Sequence, residues 1–268
     1  MRWVLAIVAL LSAGPTVARA ETVVLAATTS LDNSGLLARI LPLFTAKTGI
    51  EVRVLAQGTG QALATAARGD ADLVLVHDPE AEAAFMTAGH GIKRVEIAWN
   101  DFIVVGPKRD PARIAGLSDA VAALRKVAAA KALFVARGDK SGTDALEKRL
   151  WRETGVNPAG AAWYKDIGGG MGAALNVAAA TDGVTLTDRG TWLAFANRRD
   201  LVELVHGDPR LINRYRVIEL APERHQSGNM EGARKLAAWF ASAEAQAAIG
   251  AYMIGGTPLF NPGVKAVP

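Results

Sequence analysis

The 268-residue sequence contains no cysteine. This absence excludes disulfide bonds, thiolate catalysis, cysteine-ligated zinc and a lipid attached to a cysteine behind a leader segment. Aromatic residues are also scarce, at 6% of the chain, and no loop is rich in them. Because pockets for organic ligands are mostly apolar and aromatic, the shortage of aromatic residues argues against an organic ligand.

The chain also lacks a long run of basic residues. Its 30 lysines and arginines stand against 26 aspartates and glutamates, which gives a formal net charge of +4. Nucleic-acid-binding proteins carry clustered basic residues on one face or along one helix. We therefore predict no nucleic-acid partner.

Motifs for catalysis are missing as well. No G-x-S-x-G sequence is present, and Lys140 is poorly placed to act as a base for its neighbour Ser141. The histidines at 90 and 206 show no metal-ligand spacing. We predict a protein that is not an enzyme and has no catalytic site, metal or cofactor; a periplasmic hydrolase is the weaker alternative.

Residues 1–20 have the organisation of a secretory signal peptide. Arg2 gives the positive start, residues 3–12 are apolar, and Ala18-Arg19-Ala20 matches the small-residue cleavage pattern. No later segment is long and apolar enough to span a membrane. We predict cleavage before Glu21 and a periplasmic location.

The rest of the chain alternates between strand and helix patterns. Continuous apolar strands at 22–26, 51–55 and 72–76 are separated by amphipathic helices at 35–48, 58–68 and 79–88. Such alternation is typical of a parallel sheet covered on both faces. The extended run at 97–106 has no helix directly after it, and we interpret it as a crossover between lobes.

A second α/β unit follows the crossover, and a helix at 230–250 then returns to the first unit. The sequence therefore predicts an α/β fold of two lobes, each a mainly parallel sheet flanked by helices. We place the first lobe at 21–104 and 216–268 and the second lobe at 105–215.

The first candidate site follows the first strand. Thr28, Thr29 and Ser30 stand where a buried strand turns into a helix. Free backbone N–H groups at a helix start, together with hydroxyl donors, can hold an anion. Thr59, between two glycines, opens the next helix in the same way. The alternative for both stretches is an ordinary turn and helix cap.

The second candidate site is Arg137-Gly138-Asp139-Lys140-Ser141-Gly142-Thr143. A predicted strand at 132–136 places Arg137 at its carboxyl end, and residues 141–143 start a helix. The planar guanidinium offers a fork of donors that matches an oxyanion. The alternative is an arginine paired with Asp139 on a surface loop.

These stretches, with Leu75-Val76-His77, Asn100-Asp101-Phe102, Gly170-Met171-Gly172 and residues 185–191, occur in one order along nearly the whole chain. As a set they resemble the tungstate-binding periplasmic proteins of the Tup-type ABC transporters. That family usually shows three threonines before the serine, whereas this chain has Ala27 first. The resemblance implies a class II periplasmic-binding-protein fold with an oxyanion in the cleft between lobes.

The resemblance also implies a function and partners. The protein would capture a tetrahedral oxyanion, tungstate or molybdate, as a ligand and deliver it to an ABC permease with its ATPase. We expect it to be a monomer. The predicted ligand-binding residues are Thr28, Thr29, Ser30, Thr59, Arg137, Ser141, Gly142 and Thr143.

A phosphate-binding protein of the same fold is the alternative, because the Arg-x-Asp-x-Ser-Gly-Thr pattern resembles that group too. Tungstate and molybdate are unprotonated dianions at neutral pH and need donors only, whereas phosphate carries a proton that a carboxylate could accept. Asp78 could be that acceptor, and Asp139 could orient Arg137. For Asp188 and Arg189 we favour an internal ion pair.

Overall fold

The computed structural model describes residues 21–224 and 228–263, and the predicted signal peptide lies outside them. The strands are Thr22–Thr28 (β1), Glu51–Gln57 (β2), Leu73–Val76 (β3), Gly91–Pro107 (β4), Phe134–Ala136 (β5), Tyr164–Asp166 (β6), Thr185–Asp188 (β7), Leu201–Val205 (β8), Ile212–Leu220 (β9), Met253–Ile254 (β10), Thr257–Pro258 (β11) and Asn261–Pro262 (β12). The helices are Thr29–Asn33 (α1), Leu36–Thr48 (α2), Thr59–Ala67 (α3), Pro79–Thr87 (α4), Ala120–Ala130 (α5), Gly142–Thr154 (α6), Met171–Thr181 (α7), Arg189–Ala194 (α8), Met230–Phe240 (α9) and Ala243–Gly250 (α10).

The first lobe is built on a sheet whose order is β12-β4-β9-β3-β1-β2. Strand β1 runs parallel to β2 and β3, as the alternating pattern predicts. In the fully buried β3, Leu73 and Leu75 pack in one hydrophobic cluster, whereas Val74 and Val76 pack in another. Because successive strand residues face opposite sides of a sheet, both faces of this sheet are covered.

Strand β4 joins the two lobes. It is 17 residues long; its first part pairs with β9, and from Phe102 onward it pairs with β7 and β8. The returning strand β9 starts at Ile212, opposite Asp101. The predicted crossover at 97–106 is therefore a strand that belongs to both lobes. We keep the division into 21–104 with 216–268 and 105–215 as a proposal.

Strand directions are more mixed than the expected mainly parallel sheets. Strands β5 and β6 are parallel, but β4 pairs antiparallel with β7, β8, β9 and β12, and β3 with β9. A strand that carries the chain to the second lobe and one that brings it back run in opposite directions, so their pairing is antiparallel. The two-lobed α/β fold class itself is confirmed.

The helix predicted at 230–250 is wrong, because the structure has two helices there. Helix α9 ends at Phe240, and Ser242 caps α10 by accepting a hydrogen bond from the backbone nitrogen of Ala245 at 3.3 Å. The alanine-rich sequence continues through this break, whereas the serine cap starts a new helix axis. No helix of residues 21–224 and 228–263 is long and apolar enough to cross a membrane.

Candidate functional site

A cavity of about 520 Å³ lies between loops of the two lobes. The first lobe lines it with Thr29, Ser30, Asn33 and Ser34, all within or directly after α1. The second lobe lines it with Arg137, Asp139, residues 170–172, Asp188 and Thr191. The loops after β1, β5 and β7 thus meet at one place, as expected for ligand sites beyond the carboxyl ends of strands in α/β folds.

The first-lobe wall presents uncharged polar groups, with the apolar Ile254 beside them. Thr28 is buried beneath it, and the Ser30 hydroxyl lies 3.5 Å from the Thr28 hydroxyl. The Ser30 Oγ also lies 3.3 Å from Nε2 of His77, which follows β3. Hydroxyl groups on this wall can donate to an anion, but they bring no net charge.

The second-lobe wall carries the positive charge. Arg137 follows β5 and is 9% exposed; its Nε and Nη2 donate to one carboxylate oxygen of Asp139, and its Nη1 donates to the Thr143 hydroxyl at 3.2 Å. Burial alone would raise the pKa of Asp139, but hydrogen bonds from Ser141 and Arg137 lower it overall. The ion pair of Arg137 with Asp139, named above as the alternative, is therefore present. It lies in the buried wall of the cavity rather than on a surface loop, and it orients the guanidinium.

Helix α6 starts behind Arg137. The Ser141 hydroxyl caps this helix by accepting a hydrogen bond from the backbone nitrogen of Asp144 at 3.3 Å, and Gly142 packs against His77. Thr143 is buried under the Arg137 guanidinium. Ser141, Gly142 and Thr143 are not among the described residues that line the cavity. They lie directly behind its wall.

The predicted site residues therefore fall into three groups. Thr29, Ser30 and Arg137 line the cavity. Thr28, Ser141, Gly142 and Thr143 lie directly behind it. Thr59 is buried outside the lining, and its hydroxyl has no hydrogen-bond partner in the part of the chain that the structure describes.

The predicted ligand-binding residues do not include the glycine-rich start of α7, and the structure places Gly170, Met171 and Gly172 in the cavity wall. Gly170 precedes α7 and offers no side-chain cap, so the first backbone amides of this 11-residue helix stay free. Free amides at a helix start, with the positive end of the helix dipole, favour anions. The run of three glycines at 168–170, directly before a helix, is the sequence signal that could have indicated this part of the wall.

The predicted ion pair between Asp188 and Arg189 is wrong. Asp188 caps α8 by accepting hydrogen bonds from the Thr191 nitrogen at 2.8 Å and the Thr191 hydroxyl at 2.7 Å. Arg189 instead donates to Asp101 at 2.6 and 2.7 Å and to Glu203 at 3.0 and 3.2 Å. The two side chains leave the helix start in different directions, which sequence adjacency does not reveal.

Asp78, considered as an acceptor for a phosphate proton, is occupied elsewhere. Its carboxylate caps α4 through the nitrogens of Glu80 and Ala81 at 3.1 and 3.3 Å, and it accepts from Arg149 at 3.3 Å. It does not belong to the cavity lining. Within the described ranges, no three His, Asp or Glu side chains are grouped so that they could hold a metal ion.

Comparisons with known proteins agree with this geometry. Residues 15–244 match the model of a PBP superfamily domain. The chain is 43% identical over 245 residues to the tungstate-binding protein TupA of Peptoclostridium acidaminophilum, which covers 90% of this chain and 85% of that protein. The chain belongs to the TupA family.

Solved structures of TupA proteins share the fold. The tungstate-binding TupA from Desulfovibrio alaskensis G20 has a TM-score of 0.84 and 42% identity, covering 92% of this chain and 100% of that one. The structure of the tungstate ABC transporter from Geobacter sulfurreducens has a TM-score of 0.77 and 41% identity, covering 87% of this chain and 99% of that one. The two-lobed arrangement of this TupA-family chain is therefore that of known binding proteins.

Proposed function

We propose that this protein is the extracytoplasmic solute-binding component of an ABC transporter and that it captures tungstate or molybdate between its lobes. The observation that carries the proposal is the buried Arg137 at a cavity whose opposite wall presents hydroxyl groups. The names of the TupA relatives support it.

The cavity chemistry suits an unprotonated dianion. Arg137 supplies charge, the start of α7 supplies backbone donors, and Thr29 and Ser30 supply hydroxyls. In this proposal these groups contact the oxyanion, while Thr28, Ser141, Gly142 and Thr143 hold them in place. A binding role for Thr59 stays a prediction from the sequence. The ligand is cargo, and the proposal includes no cofactor.

Phosphate is a poorer fit. A protonated phosphate is best recognised by a free carboxylate acceptor, and Asp78 is engaged outside the cavity. The two carboxylates that line the cavity are engaged as well, since Asp139 accepts from Arg137 and Asp188 accepts from Thr191. Among the described residues of the cavity wall, no free carboxylate is left to accept a proton from a bound phosphate.

The contact between Ser30 and His77 is the observation that would favour a hydrolase. A serine beside a histidine can form a nucleophile and its base. Burial, however, lowers the pKa of His77 to about 4, so that its imidazole is a weak base at neutral pH. We propose that the protein binds its ligand without chemical turnover.

The location and partners belong to the same proposal. Residues 1–20 would direct export and be removed, leaving a periplasmic protein that starts at Glu21. A binding protein of this kind works with a permease and an ATPase, and we expect it to act as a monomer.

Thermal unfolding with tungstate, molybdate, phosphate and sulfate tests the function. A ligand that binds only the folded state stabilises it by RT ln(1 + [L]/Kd), about 4 kcal/mol at a thousandfold excess over Kd. We expect large shifts in Tm with tungstate and molybdate and small shifts with sulfate and phosphate. A shift with phosphate alone would establish the alternative, and turnover of ester or phosphoester substrates in a parallel screen would establish a hydrolase.

A further inference from the structure

His77 is a side chain that touches residues of both lobes behind the cavity. It follows β3 of the first lobe and is 7% exposed. Its Nε2 lies 3.3 Å from the Ser30 hydroxyl, and its ring packs on Tyr215 and Phe102 with centroid distances of 5.0 and 6.4 Å. The ring is therefore fixed by packing as well as by a polar contact.

The second lobe contacts the same imidazole, close to the nitrogen that faces Ser30. A Cβ atom added to Gly142 would lie 2.6 Å from Cε1 of His77, closer than Cβ contacts in real proteins. The start of α6 thus approaches the imidazole as closely as a glycine backbone allows. The ring therefore contacts both Ser30 of the first lobe and the start of α6 in the second.

The ring is also electrically neutral at neutral pH. Burial lowers the pKa of His77 to about 4; the charges of Asp188 and Asp78 and a hydrogen bond with Asn213 act in the opposite direction, and Arg137 adds to the lowering. A neutral imidazole can hydrogen-bond Ser30 without attracting the anion itself. The positive charge that meets the anion then stays on Arg137.

We propose that His77 is a positioning residue that sets the distance between Ser30 and the start of α6, and thereby the size of oxyanion that the cleft accepts. This inference rests on the proposed function. Sulfate has the charge and shape of tungstate but is smaller. A rigid aromatic spacer keeps the lobes apart, so that a smaller anion cannot reach the donors of both walls at once.

Three variants separate the spacer from the hydrogen bond. His77→Phe keeps a flat ring and loses the nitrogen, His77→Gln keeps a polar group within reach of Ser30 and loses the ring, and His77→Ala loses both. His90→Ala is the matched control, because His90 lies outside the cavity lining and stacks on Phe85 at a centroid distance of 5.1 Å.

The experiment is calorimetry of tungstate and sulfate binding to the full mature chain and to each variant. For His77→Ala and His77→Gln we expect the ratio of the two Kd values to move at least fivefold toward sulfate. His77→Phe should retain the wild-type ratio and bind both anions about threefold to tenfold more weakly, the effect of one lost hydrogen bond. His90→Ala should match the wild type.

The outcomes distinguish this inference from the function on which it rests. If the wild-type protein binds neither tungstate nor molybdate, the proposed function fails. If the wild type binds tungstate and the folded His77→Ala and His77→Gln variants keep its Kd ratio, the spacer role is wrong and the function stands. Should His77→Ala not fold, the contrast between His77→Phe and His77→Gln decides the question.

Discussion

The two lobes bring different chemistry to one cavity. The first lobe contributes Thr29, Ser30 and their polar neighbours, and none of its described residues in the lining is charged. The second lobe contributes Arg137 with its partner Asp139 and the free amides at the start of α7. A dianion should therefore bind first to the charged second lobe, and the hydroxyls of the first lobe should complete the site when the lobes approach.

The lobes also differ in how each holds a buried glutamate. Burial raises the pKa of Glu82 in the first lobe and of Glu147 in the second to about 7. Glu82 faces two arginines, Arg216 at 3.2 Å and Arg94 at 3.4 Å. Glu147 accepts from two neutral donors, the Tyr164 hydroxyl at 2.7 Å and the Trp151 indole at 3.1 Å. The same pKa therefore arises from two different environments.

The largest expected loss of tungstate affinity follows from removing the positive charge of Arg137 in the second lobe. Arg137→Ala should weaken tungstate binding by about 2–5 kcal/mol, as for other truncated, buried charge pairs. Arg137→Lys should recover only part, because an ammonium keeps the charge but loses the planar fork. Calorimetry with tungstate measures both effects.

Arg68→Ala is the matched control for Arg137→Ala. Arg68 also pairs with an aspartate two residues further on, Asp70, at 3.0 Å, but on the exposed surface. The Arg68→Ala variant should bind tungstate as tightly as the wild type. Wild-type affinity in a folded Arg137→Ala variant would remove the proposed difference between the two walls.

The two glutamates predict unequal effects of a glutamine substitution on stability. The raised pKa of Glu147 favours the folded state fully below pH 4.5, and this contribution disappears as the pH rises to about 7. Glu147→Gln cannot ionise and should gain on the order of 1–3 kcal/mol relative to the wild type between pH 5 and pH 8. The raised pKa of Glu82 predicts a gain for Glu82→Gln as well, but we expect a smaller one, because Arg94 and Arg216 lose a carboxylate partner.

Thermal unfolding at pH 5 and pH 8 measures the stability of both glutamine variants. A gain for Glu82→Gln equal to that of Glu147→Gln would mean that Arg94 and Arg216 lose nothing when the carboxylate is replaced by an amide.

An ion pair between the lobes should have a smaller effect. Arg149 of α6 lies 3.3 Å from Asp78 at the start of α4, and both side chains are largely buried. Arg149→Met should weaken tungstate binding by about 1–2 kcal/mol, chiefly through faster release, because the contact exists only when the lobes are close. Stopped-flow release of tungstate measures the rate.

Lys148→Met is the control on the same helix, because Lys148 pairs at 2.7 Å with Asp144 of its own lobe. Its release rate should equal that of the wild type. Equal rates for Lys148→Met and Arg149→Met would show that the contact across the lobes does not hold the closed state.

Much of the first lobe is predictable because its signals are local. The apolar run at 72–76 becomes the buried strand β3, and Gly49 ends α2 with a φ of 71°. The rule that ligands lie beyond strand ends then brings Thr29, Ser30 and Arg137 to one cavity. Each of these steps requires only neighbouring residues and the order of the elements.

The parts that sequence reasoning missed depend on distant contacts. Arg189 pairs with Asp101, which is 88 positions away, because β7 lies antiparallel to β4. The same pairing helps place Asp188 and Thr191 at the cavity. Strand direction in the second lobe follows from the crossover of β4 and β9, and no local pattern in the sequence encodes that crossover.

The smallest expected effect concerns a single neutral donor. Thr29→Val keeps the shape of the side chain but removes one hydroxyl from the first-lobe wall, and it should cost about 0.5–1.5 kcal/mol of tungstate binding. Thr59 is buried outside the cavity lining. The sequence predicts that it binds the ligand, whereas its position in the structure predicts no contact, and Thr59→Val distinguishes the two. Calorimetry should show a loss for Thr29→Val that is well below that of Arg137→Ala, and none for Thr59→Val. A loss confined to Thr59→Val would place the first-lobe contact at α3 and move the anion away from Ser30.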